Sequence, residues 1–377
     1  MNFDWNPEQD TAYDRLIDEV AKWDRPPRQG FFTDEDWKRC AGLGVLGLSV
    51  PAEYGGSGLD ALTTARVAEA FGRSCQDMGL VFAAMAHLLA CAMPIAEHGD
   101  AALKAAVLPR LCSGEWIGAN AITEDEAGSD VTAVTTRAER QADGAYLLTG
   151  EKSFVSNGPV ADLFLVYATT DPRFGHLGVS AFVVERDTPG LVAGPAFDKL
   201  GPAGCPAGRL TLDHCRVPAG HLVGRPGTGS AVFQSSMSWE RTCLFAAYLG
   251  AAGRTLERCV ERAGSRHQFG RPIGSNQAVS HRLADVHLRL EAARLLLHRA
   301  CWKRDRNTAT ALDVAMAKLA ASESVVETHL EALRLFGGAG VLSENGIEQA
   351  LRDALPSTIF SGTSDMQREL MVKAMGL

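Results

Sequence analysis

The chain has 377 residues, of which 46% are hydrophobic and 22% charged, so it holds enough apolar material for a folded core. Its formal net charge is −8 and no long basic run occurs, which argues against a nucleic-acid-binding protein, because phosphate binding needs clustered positive charge. The length predicts two or three domains.

Nine cysteines are scattered along the chain, and no two of them form a Cys-x-x-Cys pair. An odd number without paired spacing supports neither a disulfide framework nor a zinc site. We therefore expect no metal ion and a reducing, cytoplasmic setting. The first ten residues, MNFDWNPEQD, are acidic and lack the apolar stretch of a signal peptide.

Residues 1–116 are predicted to form an α-helical domain. Thr33 and Asp36 have the spacing of a capping box, which predicts that a helix begins directly after Thr33. Apolar residues recur at helical spacing after Pro7, at Tyr13, Leu16, Ile17 and Val20.

The stretch from Met78 to Ala96 is nearly uncharged and approaches the ~20 residues that span a bilayer. His87 lies near its middle, Pro94 near its end, and no basic flank follows. We interpret this stretch as a buried core helix and expect no contact with a membrane.

Residues 117–222 are predicted to form an antiparallel β domain, either a barrel or a sandwich. Short segments rich in β-branched and aromatic residues are separated there by Gly, Asp and Pro, which is typical of strands and turns. These segments are YLLTG, SFVSNG, DLFLVYATT, VSAFVVER and GRLTLDHCRV.

Residues 223–377 are predicted to form a C-terminal α-helical bundle. Helical patterns longer than an average globular helix recur there, and long neighbouring helices favour a bundle. The segments are 230–264, 276–303, 308–336 and 364–376.

Three polar motifs contain side chains that could bind a polar ligand. The first runs from Ile122 to Asp130 and offers hydroxyls beside a glycine, and the second, from Phe154 to Gly158, alternates an aromatic ring with a hydroxyl. The third, Arg266 to Ile273, places arginines beside a Gly-Arg-Pro turn, where a pyrophosphate could be held. Taken singly, each is as well explained by an ordinary polar turn, a strand ending in an Asn-Gly turn or a loop between helices.

Taken together, these motifs resemble the acyl-CoA dehydrogenase flavoprotein family over nearly the whole chain. The resemblance implies the α+β multidomain acyl-CoA dehydrogenase fold, with FAD held between the central β domain and the C-terminal bundle. It also implies a homotetramer in which a partner subunit completes each FAD site. The matching segments, in order, are ITEDEAGSD, GEKSFVSNGPVAD, RHQFGRPIGSNQ, RLFGGAG and RDALPSTIFSGTSDMQRE.

The resemblance assigns residues around the flavin ring. Ile122 and Thr123 are expected to face its pyrimidine edge, and Ser129 to reach the substrate or the flavin tail. Phe154 and Ser156 are expected to cover the ring beside N5, where the family usually has Trp and Thr.

The resemblance also assigns residues around the remainder of FAD. Arg266, Gln268 and Phe269, followed by Gln277, resemble an arm that reaches the pyrophosphate of a neighbouring subunit's FAD. A glycine turn and the chain's last cofactor contacts complete the assignment, at Arg334, Gly337, Gly338, Thr363 and Asp365.

The catalytic base is the point at which this chain departs from the commonest family pattern. The usual Glu before Gly-Thr is replaced by Ser361, whose hydroxyl is too weak a base to remove a thioester α-proton. A minority of the family, the isovaleryl type included, places the Glu on the first helix of the C-terminal domain, before an Arg. Glu240 precedes Arg241 at that place and is the expected base, although without the resemblance the pattern favours a surface Glu paired with an Arg. The backbone N–H of Ser361 is expected to polarise the thioester carbonyl.

Further strings resemble the dehydrogenases that oxidise L-prolyl thioesters on peptidyl carrier proteins. They imply oxidation of proline, held on a phosphopantetheine arm, to a pyrrole-2-carboxyl thioester. The strings are GLVFAAMAHLLACAMPI, FQSSMSWERTCLFAAYLG, PIGSNQAVSHRLADV and STIFSGTSDMQ. Substrate contacts are expected from Ser129, Met78, Arg241 and Phe245, and carrier contacts from a basic patch among Arg73, Arg137, Arg209 and Arg282.

Alternatives remain open at this stage. A short- or branched-chain acyl-CoA dehydrogenase would use the same base. A flavin-binding assembly subunit without activity and an oxygen-using oxidase of the same fold are further alternatives. The electron acceptor is either an electron-transfer flavoprotein or oxygen.

Overall fold

The computed structural model describes residues 5–23 and 30–377. Residues 1–4 of the acidic N-terminal stretch lie outside this part. The capping box at Thr33 is confirmed, because Thr33 and Asp36 exchange the two expected hydrogen bonds where the second helix begins. The N-terminal helices are α1 (Pro7–Ala21), α2 (Asp34–Gly42), α3 (Ala61–Ser74), α4 (Met78–Ala86), α5 (Met93–His98) and α6 (Ala101–Cys112).

Helices α4 and α5 form one continuous helical run through a π-helical turn, His87–Ala92. By length and composition Met78–His98 could cross a membrane, but all of its most apolar window is buried inside the protein. His87 is itself buried and accepts a hydrogen bond at Nδ1 from the backbone N–H of Gly118. This run is therefore a core helix.

The central domain is an eight-stranded sheet with the order β6-β7-β3-β2-β4-β5-β8, and β1 pairs with β4. The expected antiparallel pairing holds for most neighbours, but β1 and β2 each run parallel to β4. Strand β1 follows directly after the N-terminal helices and is not joined to β4 by a hairpin, so the two strands can run in the same direction. The strands are β1 (Gly118–Ala121), β2 (Arg137–Arg140), β3 (Tyr146–Ser156), β4 (Leu163–Thr169), β5 (Val179–Glu185), β6 (Leu191–Ala196), β7 (Ala207–Val217) and β8 (Leu222–Val223).

The C-terminal part is a helical bundle in which α10 packs against α8, α9 and α12. Its first expected helix is interrupted by a π-helical turn, Glu240–Leu244, which separates α7 from α8. A short hairpin of β9 (His267–Gln268) and β10 (Arg271–Pro272) connects α8 to α9. The helices are α7 (Gly229–Trp239), α8 (Phe245–Ser265), α9 (Gln277–Arg304), α10 (Ala311–Phe336), α11 (Ile347–Ala354) and α12 (Ser364–Ala374).

One large apolar cluster joins the N-terminal helices to α7, α8 and α9 and to one face of β4 and β5. A second cluster fills the opposite face of the sheet. The closest contact between the helical domains is that of α3 with α8, where Gly72 and Gly250 let the two backbones approach each other. The shared core fixes the start of α8 relative to both other domains.

Candidate active site

Glu240 begins the π-helical turn between α7 and α8, and its side chain is only 7% exposed. Its Oε1 accepts a hydrogen bond from the Ser361 hydroxyl, 121 residues later in the chain. The Ser361 backbone has φ = 56°, a left-handed conformation that costs energy for a residue other than Gly. Its carbonyl accepts from Nε of Arg241 at 2.7 Å, so the arginine after the carboxylate holds the turn that carries the serine.

The Glu240 carboxyl has a pKa above its ordinary value. Burial is the main cause, and the Ser361 hydrogen bond and the charges of Arg241 and Lys318 oppose it. Lys318 on α10 is fully buried, and burial, with Arg241 acting in the same direction, lowers its pKa to about 8. A buried carboxylate with few partners is the environment in which a proton-accepting group is found.

Aromatic rings close the space beside this carboxylate. The Phe360 ring lies 4.9 Å from that of Phe82 on α4, 5.5 Å from that of Phe245 and 5.7 Å from that of Tyr248, measured between centroids. Phe360 directly precedes Ser361, so this wall stands next to the carboxylate.

The loop that begins at Ile122 is fixed to β3 by a buried ion pair. Lys152 is fully buried, and its Nζ donates to Glu124 Oε1 at 2.8 Å and to the Ile122 carbonyl at 3.1 Å. The same carboxylate accepts hydrogen bonds from the backbone and hydroxyl of two threonines, Thr135 and Thr136. Burial raises the pKa of Glu124, but the Lys152 charge and these hydrogen bonds outweigh it and bring the pKa to about 2.

Ile122, Thr123, Phe154 and Ser156 are brought together by this arrangement. The Ser153 N–H donates to the Thr123 carbonyl at 2.8 Å, which places the loop beside the end of β3. The Phe154 side chain is 66% exposed, with φ = 55°, and its ring contacts Phe197 at 5.4 Å.

The end of β3 is also tied to the helix behind the aromatic wall. Asn157 Nδ2 donates to the carbonyls of Ala83 at 3.0 Å and Gly118 at 3.3 Å. Ala83 follows Phe82, whose ring contacts Phe360. We call Ile122 and Thr123, together with Phe154 and Ser156 at the end of β3, the β3 loop. A continuous series of contacts therefore joins the β3 loop to the Glu240 carboxylate.

The other residues assigned to FAD lie in a separate place. Gln268 is exposed on the β9–β10 hairpin, Phe269 at its tip is fully exposed with φ = 52°, and Arg266 precedes the hairpin. Gln277 begins α9. The end of α8 reaches the end of α10, because Arg262 donates to the Phe336 carbonyl at 3.1 Å beside the Gly337 turn.

Arg334 forms an ion pair with Glu331, and a side chain added at Gly337 or Gly338 would meet open space. Within the described residues, no hydrogen bond or ring contact joins this hairpin-and-glycine group to the β3 loop.

The remaining expected residues are spread more widely. Thr363 caps α12, accepting from the Met366 N–H at 3.1 Å, and Asp365 pairs with Arg368 at 3.0 Å. Ser129 lies in an exposed turn of the 122–130 loop. Met78 borders a different cavity, of about 340 Å³, which is lined mainly by polar residues of α8, α10 and α11.

The four arginines expected to contact a carrier lie on four different elements: α3, β2, β7 and α9. Three of them form ion pairs, Arg73 with Glu257, Arg209 with Asp125 and Arg282 with Glu331. These three arginines are therefore already paired with carboxylates of this chain. In the described ranges 5–23 and 30–377, no group of three or more His, Cys, Asp or Glu side chains could hold a metal ion.

Three features of the site were missed by sequence reasoning: the Lys152–Glu124 pair, Phe360 and Lys318. For Lys318 a signal exists, because it lies four residues after Val314 and seven before Val325, on the apolar stripe of α10. A lysine on a buried stripe is unusual and points to a function or a buried partner.

Three family models match the chain in sequence order. They are the N-terminal domain of acyl-CoA dehydrogenase over residues 9–115, the middle domain over 119–215 and the C-terminal domain over 227–376. The chain belongs to the acyl-CoA dehydrogenase family, and its fold is the fold of that family.

Among its relatives are two proteins named L-prolyl-[peptidyl-carrier protein] dehydrogenase. The one from Pseudomonas fluorescens is 55% identical over 92% of this chain and 91% of its own length. The one from a Serratia species is 41% identical over 100% of this chain and 99% of its own. The solved structure described as PigA with FAD and proline superimposes with a TM-score of 0.96 at 40% identity, covering 100% of both chains.

Proposed function

We propose that this protein is an FAD-dependent dehydrogenase that oxidises L-proline, held as a thioester on a peptidyl carrier protein, to a pyrrole-2-carboxyl thioester. The observation that carries the proposal is the buried Glu240 carboxylate, hydrogen-bonded by the serine that stands where most of the family has its basic glutamate. The names of the two relatives described above supply the substrate.

The residues of the two separate groups suit a flavin dinucleotide. Phe154 and Phe269 are exposed aromatic residues in left-handed backbone conformations, an arrangement that costs stability in an isolated chain and suggests that a ligand covers the rings. Thr123 and Ser156 would border the flavin ring, and the glycine turn after Phe336 leaves open space for a dinucleotide. When bound, FAD supplies the acceptor for a hydride from the substrate's β-carbon.

Glu240 removes the α-proton of the thioester. The carboxylate has to be ionised and within reach of the α-carbon, and the Glu240–Leu244 turn and the Ser361 hydrogen bond hold it in place. The Ser361 backbone N–H is the donor that we assign to the thioester oxygen, where negative charge develops as the proton leaves. Removal of one proton and one hydride gives the first unsaturation, and a second oxidation completes the pyrrole ring.

The aromatic wall suits a five-membered ring. Phe82, Phe245 and Phe360 pack against one another next to Ser361, and we assign to them the end of the acyl site, which favours a compact acyl group over a linear one. This is the feature of the chain itself that favours proline over a long-chain acyl thioester.

We further propose that the protein acts as a homo-oligomer, a tetramer by resemblance to its family. In a single chain the fully exposed Phe269 is not connected to the β3 loop, and a second copy would bring the two groups together around one FAD. The carrier protein is the macromolecular partner. Nine buried cysteine thiols without disulfides suit the reducing cytoplasm.

A comparison of thioesters tests this function. FAD-loaded enzyme is mixed without oxygen with prolyl-loaded carrier protein, prolyl-CoA or isovaleryl-CoA, and loss of the visible flavin absorbance is followed. We expect fast reduction with the prolyl-loaded carrier. Reduction by isovaleryl-CoA alone would instead identify a branched-chain acyl-CoA dehydrogenase. Peroxide release after air is admitted would identify oxygen as the electron acceptor.

A further inference from the structure

Glu240 carries its hydrogen bond on one oxygen only. Oε1 accepts from the Ser361 hydroxyl, whereas Oε2 has no hydrogen-bond partner among the residues that the structure describes. Because the side chain is buried, its ionised form has lost most of the water that would solvate it. A base in this position needs a donor on one oxygen and a nearby positive charge, with the other oxygen left free to take a proton.

Lys318 supplies positive charge from helix α10. Helix α10 packs against the Glu240–Leu244 turn. Phe245 directly follows this turn, and Lys318 Nζ lies 5.2 Å from the centroid of its ring. This ammonium is fully buried and has no hydrogen-bond partner in the described part of the chain. Burying an ammonium group without a hydrogen-bond acceptor reduces the stability of the fold. The presence of Lys318 on an apolar stripe therefore suggests an electrostatic role.

The charged and titratable groups around Glu240 come from three elements. Arg241 belongs to the same turn and donates to the Ser361 carbonyl, and Lys318 comes from α10. Tyr167 comes from β4, and burial raises its pKa well above the ordinary value, so the phenol stays neutral. The charges of Arg241 and of Glu323, on its own helix, also act on Lys318. The surroundings of Glu240 therefore include two cations and one neutral phenol.

We propose that Ser361 and Lys318 are positioning residues for Glu240: the hydroxyl fixes Oε1 and leaves Oε2 as the proton acceptor, while the buried ammonium favours the carboxylate form. Proton transfer to Glu240 removes one of the two negative charges that act on Lys318, which in turn favours release of that proton to solvent before the second oxidation. The inference rests on the proposed function, because it assumes that Glu240 is the base.

The test is the pH dependence of anaerobic flavin reduction by the prolyl-loaded carrier in S361A, S361G and K318M. Rates should fall at low pH as Glu240 is protonated, and we call this part of the pH–rate profile the acidic limb. Each variant should shift the acidic limb to higher pH by about one pH unit. S361G removes the hydroxyl and also relieves the positive φ, whereas S361A removes the hydroxyl alone. The two variants should therefore differ in thermal stability but share the same shift.

Two controls make the outcome specific. K303M removes a lysine that pairs with Asp313 at 2.9 Å, at the far end of α9, and should leave the acidic limb where it is in the wild type. Infrared titration, with E240Q subtracted, should show the protonated carboxyl band of Glu240 persisting to higher pH in S361A and K318M, independently of turnover.

An acidic limb and a carboxyl band at wild-type pH in both serine variants would overturn the inference, even if the variants are less stable. The inference would also be overturned if the acidic limb shifted by different amounts in S361G and S361A, in proportion to the thermal stability of each variant. The proposed function fails separately: if E240Q reduces its flavin as fast as the wild type, Glu240 is not the base at all.

Discussion

Two buried glutamates of this protein have opposite surroundings. Glu124 accepts hydrogen bonds on both oxygens, from Lys152, Thr135 and Thr136, and its pKa falls to about 2. Glu240 accepts on one oxygen, and burial raises its pKa. The first carboxylate is ionised near neutral pH and holds the 122–130 loop on β3. The second is held ready to exchange a proton.

The difference shows how one fold assigns a structural and a reactive task to the same residue type. A carboxylate with all its acceptor sites filled gains little by taking a proton, so it can serve as an anchor. A buried carboxylate with one free oxygen is less stable when ionised than one with every acceptor site filled, which is the condition a base needs. Satisfaction of hydrogen bonds, more than burial alone, separates the two roles.

The same substitution at both sites should give the largest contrast. Glu124→Gln leaves the fully buried Lys152 without its counter-charge, and we expect a loss of about 3–5 kcal/mol in the free energy of unfolding. Glu240→Gln removes a carboxylate that is disfavoured when ionised, so its free energy of unfolding should be unchanged or higher. Urea unfolding of the FAD-free proteins measures both. Equal losses in the two variants would contradict the distinction between them.

Acidification should separate activity from folding. The folded pKa of Glu124 is depressed, so its contribution to stability is complete above the ordinary glutamate value and is lost only as the pH falls towards about 2. The pKa of Glu240 is raised, so its base form is lost at higher pH. We therefore expect a pH window in which circular dichroism reports a folded protein that no longer reduces its flavin. Simultaneous loss of both signals would argue against it.

The smallest effect is expected from an exposed ion pair on the same loop. Asp125 and Arg209 pair at 2.6 Å, but about half of each side chain is exposed, so water and salt screen the interaction. Arg209→Ala should leave the urea midpoint within error of the wild type. If Arg209→Ala lowered the urea midpoint as much as Glu124→Gln does, the 122–130 loop would depend on its surface ion pair as much as on the buried one.

Much of the fold could be predicted from local patterns. The capping box at Thr33, the helices α9, α10 and α12 and the run of short strands depend on neighbouring residues, and short-range rules describe them. The same rules predicted that the Met78–Ala96 stretch is a core helix, because an internal histidine and the absence of a basic flank are visible in the sequence.

The site was only partly predictable, because its decisive contacts join distant parts of the chain. Family resemblance pointed to Glu240 and Ser361 but gave the serine side chain no task, whereas the structure shows its hydroxyl bonded to the carboxylate. The π-helical turn at Glu240–Leu244 has no local signal, since helical spacing continues on both sides of it. Parallel pairing of β1 and β2 with β4 likewise depends on tertiary contacts.

The central claim is that Glu240 takes the α-proton of a prolyl thioester, and flavin reduction by Glu240→Gln tests it most directly. The variant should bind FAD with an unchanged visible spectrum, yet its anaerobic reduction by prolyl-loaded carrier protein should slow by roughly 10²–10⁴-fold, the contribution expected of a general base. Reduction by the Gln variant at the wild-type rate, with product formed, would contradict the account.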